Sequence, residues 1–319
     1  MLKICFMGTP NFALESLKAL VESNKYEVVL CVMQPDKPVG RKKIITAPPT
    51  KQYALEHNIE VYQPDSMRTD EAFETISSAN PDLIVTAAYG KILPKRILDI
   101  PRLGSINVHA SLLPKYRGAS PIHYSILNGD ERTGVTIMNM DEGMDTGDIL
   151  VSESMEIDEN IHIDELSDKL AVLGANLLLN NLDSIIEGKI TPIKQDEALV
   201  TMTYPISSDM GEFSFDQDAI SIHNKVRALS SWPGAYTLIG ESKFKIYATH
   251  IVNEDDINAL NIDDIDSYSN GTILKAKKGD LFIKCGNGVI AIDELQVPGG
   301  KRLKAIDCAH NFKVGSKLG

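Results

Sequence analysis

The chain has 319 residues, 43% of them hydrophobic and 24% charged, and its formal net charge at pH 7 is -12. This length allows a large core and two domains. The net charge argues against general affinity for nucleic acid, although a local basic patch can still bind one. The four cysteines lack metal-ligand spacing, and neither a signal peptide nor a membrane-spanning hydrophobic run is evident. We therefore expect a cytoplasmic, monomeric protein that holds no metal and binds no membrane.

Hydrophobic runs alternate with helical patterns through the first 188 residues, which is typical of an α/β fold. Strands are predicted at 2–7, 26–33, 82–87, 134–140 and 148–157, and at the start of the stretch 103–118. Helices are predicted from Pro10 and at 48–57, 65–78, 119–127 and 163–186. Only Gly8 occupies the turn after the first strand, so the GxGxxG dinucleotide fingerprint is absent and a nicotinamide enzyme is disfavoured. We predict a Rossmann-like, mostly parallel sheet with helices on both faces.

The last third of the chain has a different pattern. A helix is predicted at 219–229, and short strands are predicted at 235–239, 243–251, 271–276, 280–285 and 289–295. Short strands separated by Gly and Asp turns indicate a small OB-like β-barrel. Its lysines and arginines could form a nucleic-acid-binding face or be ordinary surface charge. We divide the chain into a catalytic domain at 1–188, a linker at 189–206 and a C-terminal domain at 207–319.

Two polar side chains, Asn107 and His109, share one face of a strand that should be hydrophobic if both its faces are covered. Pro114 and Gly118 follow, so the pair lies at the carboxyl end of the strand, where open α/β sheets bind ligands. An amide donor and an imidazole suit oxyanion stabilisation and proton movement in acyl transfer. The alternative is a buried Asn and His whose polar groups are satisfied by the backbone.

Two predicted loops contain concentrated charge. The segment 34–43 has two prolines, a glycine and four basic residues, and we expect a mobile surface loop that either holds a phosphate backbone or is simply solvated. The segment 141–148 has two glycines and four acids, and its spacing does not fit a calcium loop. Its acids could form Asx turns, or one of them could orient His109. The residues alone do not say which acid that is.

Together these motifs resemble the formyltransferase family that uses 10-formyltetrahydrofolate. The motifs that carry the resemblance are Asn107-Val108-His109-Ala110-Ser111-Leu112-Leu113-Pro114 and Met144-Asp145-Thr146-Gly147-Asp148. Three further stretches are similar to family members that act on methionyl-tRNA: Phe6-Met7-Gly8-Thr9-Pro10, the basic loop from Lys37 to Lys43, and Leu229-Ser230-Ser231-Trp232-Pro233-Gly234-Ala235. The resemblance covers essentially the whole chain. It implies transfer of a formyl group from 10-formyltetrahydrofolate to methionyl-initiator tRNA for translation initiation.

The resemblance also implies roles for particular residues. Asn107 and His109 would stabilise a tetrahedral oxyanion, and Asp145 would orient His109 and assist proton transfer. The folate-binding residues that it implies are Tyr89, Gly90, Ile92, Leu93, Ser111, Leu112, Leu113, Pro114 and Asp141. The residues that it implies for the acceptor-stem region of the tRNA are Arg41, Lys42 and Lys43.

Other functions are compatible with parts of this pattern. A formyltransferase of the same fold could act on a small amine, such as a ribonucleotide or sugar nucleotide, or the chain could hydrolyse formyl-folate. The basic loop and the barrel-like domain argue against both, because a small substrate needs neither. A non-catalytic tRNA-binding or folate-binding module is a different class, and the presence of Asn107, His109 and Asp145 together argues against it.

Overall fold

The computed structural model describes residues 1–40, 42–260, 262 and 264–318. They form two compact units. The first unit contains Met1–Pro121, Arg132–Glu156 and Leu166–Tyr204. The second unit contains Ile122–Glu131, Ile157–Glu165 and the chain from Pro205 onward. The domain boundaries at 188 and 206 stay a prediction.

The first unit is built on one large sheet. The strands of this unit are β1 (Leu2–Gly8), β2 (Tyr26–Val32), β3 (Lys37–Val39), β4 (Ile44–Thr46), β5 (Val61–Tyr62), β6 (Leu83–Ala87), β7 (Ser105–His109), β8 (Arg117–Gly118), β9 (Arg132–Asn139), β10 (Ile149–Glu156) and β11 (Met202–Thr203). Seven of them form a sheet in the order β10-β9-β7-β6-β1-β2-β5. The run from β7 to β5 is parallel, whereas β9 is antiparallel to both β7 and β10. β3 pairs with β4, and β8 pairs with β11.

Helices cover both faces of this sheet. The helices of the first 188 residues are α1 (Asn11–Glu22), α2 (Pro49–Glu56), α3 (Asp70–Ser78), α4 (Lys95–Leu98), α5 (Pro121–Leu127) and α6 (Ile163–Ile186). A Cβ atom at Gly174 of α6 would lie 3.0 Å from Val108 Cγ1, so α6 covers the face to which Val108 points. On the other face, Ile76 of α3 and Ile97 of α4 join a buried cluster with Ile84. Because side chains alternate along a strand, Asn107 and His109 point to this second face.

The strand β7 is internal to the sheet. It is hydrogen-bonded to β6 on one side and to β9 on the other. In the β6 register, Thr86 is the partner of Asn107. Both strands end at the same edge, because they are parallel, so the polar side chains of β7 lie beside the loop that follows β6.

The second unit contains α5 from Ile122 onward, an antiparallel sheet and three further α-helices among its described residues. The strands are β12 (Ala235–Ile239), β13 (Ser242–Ile251), β14 (Ile273–Lys277), β15 (Asp280–Lys284), β16 (Val289–Gln296) and β17 (Arg302–Lys304). Their order is β12-β13-β16-β15-β14, and β17 pairs with β16. The helices are α7 (Ala219–Ala228), α8 (Glu254–Asn258) and α9 (Ala305–Cys308). Phe213, Ile222 and Phe244 are buried in the core of this unit.

The predicted fold class is confirmed: a mostly parallel α/β sheet precedes an antiparallel β-sheet. Two local predictions were wrong. The helix predicted at 65–78 begins only at Asp70, because the side chain of Thr69 accepts a hydrogen bond from Ala72 N and caps it. The segment predicted as a loop at 34–43 contains β3, which forms a short hairpin with β4.

Candidate active site

The side-chain amide of Asn107 is held at both ends. Thr86 Oγ1 donates to its Oδ1 at 2.8 Å, and its Nδ2 donates to Asp145 Oδ1 at 3.4 Å. Asn107 is half-buried, whereas Thr86 is buried within β6. The amide nitrogen therefore points along the edge of the sheet toward the carboxylate.

His109 ends β7 and is buried, with 6% of its surface exposed. Its Nε2 lies 2.9 Å from the carbonyl oxygen of Tyr116. A carbonyl oxygen can only accept, so Nε2 is the donor in this hydrogen bond and Nδ1 is the other ring nitrogen. Nδ1 lies 3.7 Å from Asp145 Oδ1. Nδ1 of His109 thus faces the Asp145 carboxylate.

Asp145 joins the other two side chains. Its Oδ1 lies near both Asn107 Nδ2 and His109 Nδ1, and its Oδ2 accepts a hydrogen bond from Gly118 N at 2.9 Å. Its backbone has a φ of 54°, in the left-handed region that a residue other than glycine rarely adopts. Such a conformation persists only where surrounding contacts determine it. The structure therefore brings together all three members of the predicted catalytic trio.

The loop 141–148 is shaped by two glycines and an aspartate. A Cβ atom at Gly147 would lie 1.9 Å from the carbonyl oxygen of Asn139, so only glycine fits there. Asp141 Oδ1 accepts from Gly143 N at 3.0 Å and from Thr146 Oγ1 at 2.6 Å. The side chain of Asp141 is exposed and forms an Asx turn, as in one of the two interpretations of these acids.

A second set of polar residues supports this loop, and sequence reasoning missed it. Gln195 Nε2 donates to the carbonyl oxygens of Asp145 at 2.8 Å and Gly147 at 2.7 Å. Arg117 Nε donates to Gln195 Oε1 at 2.9 Å, and its guanidinium pairs with Glu197. This contact holds the pKa of the Glu197 carboxyl below its ordinary value. Gln195 lies in the predicted linker, where a lone Gln gives no pattern. Thr86 was also missed, although a polar residue within a hydrophobic strand is a signal that could have indicated it.

The candidate folate residues after β6 have different environments. Tyr89 and Leu93 are buried in the hydrophobic cluster on the α3 side, and burial raises the pKa of the Tyr89 phenol. Gly90 is exposed with a φ of 77°, and Ile92 is 60% exposed. Met140, at the start of the acidic loop, packs against the same cluster. The loop after β6 and the loop after β9 therefore adjoin.

The candidate residues Ser111, Leu112, Leu113 and Pro114 form a turn held by β9. Thr136 Oγ1 donates to Ser111 O at 2.7 Å, and Leu113 N donates to Thr136 Oγ1 at 3.2 Å. Ser111 Oγ donates to Lys115 O at 2.6 Å, so its hydroxyl stabilises the turn. Leu112 and Pro114 remain partly exposed at this turn.

Two of the candidate tRNA residues, Lys42 and Lys43, lie at the tip of the β3–β4 hairpin. Lys42 and Lys43 are exposed, and Lys43 N donates to Gly40 O at 3.1 Å. Arg41, the third predicted residue, lies outside the described residues. Ile44 and Ile45, next along the hairpin, are 62% and 71% exposed. The tip therefore presents two ammonium groups beside exposed hydrophobic surface.

Two further features of residues 1–40, 42–260, 262 and 264–318 concern metals and membranes. Within those ranges, no group of three His, Cys, Asp or Glu side chains is arranged to hold a metal ion. None of the helices described above is both long and hydrophobic enough to cross a membrane.

Comparison with known proteins agrees with this architecture. Residues 2–182 match the family described as Formyl transferase, and residues 205–313 match the family described as Formyl transferase, C-terminal domain. Among solved structures, the sugar 3N-formyl transferase WlaRD has a TM-score of 0.65 at 22% identity, over 92% of this chain and 97% of its own. The N-formyltransferase from Helicobacter canadensis has a TM-score of 0.64 at 20% identity, over 92% and 99%. The fold and the family matches define the class of formyl transferases.

Curated relatives with higher sequence identity indicate which family within the formyl transferases the chain belongs to. The methionyl-tRNA formyltransferase of Caldicellulosiruptor saccharolyticus is 46% identical over 98% of this chain and 97% of its own length. That of Ruminiclostridium cellulolyticum is 43% identical over the full length of both. The chain belongs to the methionyl-tRNA formyltransferase family.

Proposed function

We propose that this protein transfers the formyl group of 10-formyltetrahydrofolate to the amino group of methionyl-initiator tRNA, which gives N-formylmethionyl-tRNA for translation initiation. The observation that carries the proposal is the contact of one carboxylate, Asp145, with both Asn107 and His109 at the carboxyl end of β7. The full-length similarity to methionyl-tRNA formyltransferases supports the choice of substrates.

The three side chains have the chemistry that acyl transfer to an amine requires. 10-Formyltetrahydrofolate supplies the formyl carbon, to which the amino nitrogen bonds as the bond to N10 breaks. Asn107 Nδ2 and a protonated His109 Nδ1 act as donors for the negative charge that develops on the formyl oxygen. Asp145 holds Nδ1 of His109 in place and assists transfer of the proton that the amino group loses and that N10 gains.

The loops beside the trio suit a folate. A pterin has a flat ring and a polar edge, so it needs hydrophobic cover with a few backbone or side-chain partners. The exposed side chains of Ile92 and Met144 belong to the two adjoining loops and could provide the cover. Leu112 and Pro114 could extend it from the turn after β7. These hydrophobic side chains, beside the hydrogen-bond donors of Asn107 and His109, therefore fit 10-formyltetrahydrofolate as co-substrate.

The hairpin tip and the second unit favour a tRNA over a small amine. The distant sugar formyltransferases share the fold, but at 22% identity or less they say nothing about the substrate of this chain. Lys42 and Lys43 at an exposed tip suit contact with phosphates. A soluble protein in the cytoplasm, where charged tRNA is available, is the setting that this function requires.

The test is formyl transfer from 10-formyltetrahydrofolate to charged initiator tRNA, beside charged elongator methionyl-tRNA and free methionine. Transfer confined to the initiator supports the proposal. Folate turnover in the presence of an amino sugar nucleotide, without tRNA formylation, would reassign the substrate and keep the trio.

Asn107→Ala and His109→Ala test the assigned roles. Each removes one donor to the oxyanion, and we expect kcat to fall about a hundredfold or more. Folate binding, measured by titration, should change little because neither side chain is assigned to the pterin. Near-full turnover in both variants would contradict the assignment.

A further inference from the structure

A buried polar chain runs from the surface of the first unit to the backbone of Asp145. Glu197 is its exposed end, and its carboxylate pairs with both terminal nitrogens of Arg117. Arg117 and Gln195 are 3% and 4% exposed, so the next two members are inside the protein. Buried polar side chains with a complete set of partners hold a fixed geometry.

The orientation of the Gln195 amide follows from its partners. Arg117 Nε can only donate, so the atom of Gln195 that it contacts at 2.9 Å is Oε1. Nε2 therefore faces the carbonyl oxygens of Asp145 and Gly147, at 2.8 Å and 2.7 Å, and uses one N–H on each.

The main chain brings Gln195 to this place. Ile193 exchanges two backbone hydrogen bonds of 2.8 Å with Ile149, the first residue of β10. The segment that follows therefore lies beside the loop that precedes β10. Arg117 is held in the same way, because β8 pairs with β11 and Arg117 N donates to Thr201 O at 2.9 Å.

We propose that Gln195 is a positioning residue for formyl transfer, which acts on the reaction through Asp145. This inference rests on the proposed function, since it concerns the rate of formyl transfer. Asp145 has the left-handed backbone that its surroundings must maintain, and Gln195 binds the carbonyl of that very residue and the carbonyl two residues later. Gln195 thereby fixes the direction from which the carboxylate meets His109 Nδ1 and Asn107 Nδ2.

The variants Gln195→Glu and Gln195→Met test this role. Glu keeps the size and the contact with Arg117, but places an oxygen against two carbonyl oxygens. Met keeps the length without either donor. We expect kcat to fall about a hundredfold, as misplacement of a catalytic group by about 1 Å can produce. KM for 10-formyltetrahydrofolate and for the tRNA should stay close to the wild-type values, because Gln195 is assigned to neither ligand.

A double-mutant cycle with Asp145→Ala separates positioning from general damage. If Gln195 acts through Asp145, adding Gln195→Glu to Asp145→Ala should produce little further loss in single-turnover rate. Asn181→Asp is the matched control: this residue on α6 also donates its amide to a carbonyl oxygen, that of Leu177 at 2.8 Å. We expect it to change thermal stability but leave kcat at the wild-type value.

Each outcome has one meaning. A loss of kcat with unchanged KM, which disappears in the Asp145→Ala background, supports the proposal. Wild-type kcat in folded Gln195→Met, or a loss that persists in full without Asp145, overturns it while the proposed function stands. If the wild-type protein formylates no methionyl-tRNA at all, the proposed function fails and this inference fails with it.

Discussion

Asn107 presents its amide nitrogen to Asp145 because Thr86 binds the other end of the amide. In the opposite orientation the Asn107 oxygen would face the Asp145 carboxylate, and two acceptors would repel each other. The hydroxyl of Thr86 donates to Asn107 Oδ1 at 2.8 Å, which is the shortest of the three contacts of this hydroxyl. Thr86 and the Asp145 carboxylate therefore favour the same orientation of the Asn107 amide. One hydroxyl on the neighbouring strand thus orients a candidate oxyanion donor.

Thr86→Val should therefore reduce turnover without changing the shape of the site. Valine fills the same volume but leaves Asn107 Oδ1 without its partner, which weakens the orientation of the amide. We expect kcat to fall about tenfold, the factor that corresponds to about 1.4 kcal/mol of lost positioning. Steady-state kinetics would measure it, with Thr86→Ser as the control that keeps the hydroxyl. Equal rates in the valine and serine variants would contradict this role.

At the residue scale, the sequence predicted the catalytic trio but not Thr86 and Gln195, which hold its members in place. Asn107 and His109 were visible because polar residues interrupt a hydrophobic strand, whereas the choice of Asp145 among four acids came from the resemblance. Gln195 is 50 positions from Asp145, and nothing in its neighbourhood is periodic. Contacts between distant segments of irregular chain depend on the tertiary fold, so no local pattern indicates them.

Among the elements, the loop 141–148 depends most on a single residue. Gly147 lies where a Cβ atom would be 1.9 Å from Asn139 O, and that atom belongs to backbone that cannot move aside easily. The carbonyl of Gly147 also accepts one of the two bonds from Gln195. A change here therefore disturbs the path of the loop and the placement of Asp145 together.

Gly147→Ala should reduce both stability and turnover. We expect the free energy of unfolding to fall by about 2 kcal/mol or more, the size of an overpacking effect, and kcat to fall with it. The control is Gly188→Ala, where φ is 66° and no atom lies within 4 Å of an added Cβ. That variant should lose about 1 kcal/mol of stability from its left-handed backbone and keep its kcat. Chemical denaturation and initial rates would show whether the two glycines differ in this way.

The β3–β4 hairpin should contribute to tRNA binding rather than to chemistry. Lys42→Ala together with Lys43→Ala removes two ammonium groups from its exposed tip. We expect a higher KM for the tRNA and a shallower dependence of that KM on salt, because fewer counterions are released on binding. Folate binding should not change.

Lys25→Ala together with Lys95→Ala is the control for the hairpin. It removes the same number of charges from lysines that pair with Asp183 and Asp99. If the control pair alters the salt dependence as much as the hairpin pair, the effect belongs to total charge and the hairpin has no special role.

The accuracy of the element predictions followed the length of each pattern. The helix α6 has the predicted bounds, because its hydrophobic spacing is long and Gly188 ends it. The two-residue strands β5, β8 and β11 were missed, because such a short strand has no period of its own and exists through its partner. β8 and β11 matter most, since their pairing places Arg117 beside Gln195.

At the scale of the whole molecule, His223 and His250, two of the histidines of the second unit, have pKa values that shift in opposite directions. His223 of α7 is buried, and loss of solvent lowers its pKa below the ordinary value of 6.5. Its Nδ1 contacts Thr249 Oγ1 and its Nε2 contacts Glu159 O. His250 of β13 is half exposed, and its hydrogen bond to Asp293 raises its pKa. Folding thus disfavours a proton on one ring and favours it on the other.

The sign of each contribution to stability follows from proton linkage. Below pH 6.5, His223 becomes protonated in the unfolded chain, whereas burial disfavours its protonation in the folded protein. The free energy of unfolding therefore falls as pH falls. His250 contributes its stabilisation fully below pH 6.5, and that stabilisation is lost as pH rises through its folded pKa. The contribution of His250 should stay below about 1 kcal/mol, because the pair is exposed to solvent. His223 can contribute at most about 1.4 kcal/mol per pH unit, the limit for one proton.

Urea unfolding between pH 5 and pH 9, followed by the fluorescence of Trp232, would measure both effects in the intact chain. Trp232 is the single tryptophan and belongs to the second unit, so its signal reports the part that holds both histidines. His223→Gln should lose less stability than the wild type between pH 6.5 and pH 5, because glutamine stays neutral. His250→Gln should be less stable than the wild type at pH 5 and equal to it at pH 9. If His223→Gln and the wild type lost stability in parallel on acidification, the burial of the His223 imidazole would not be the cause of acid sensitivity in this unit.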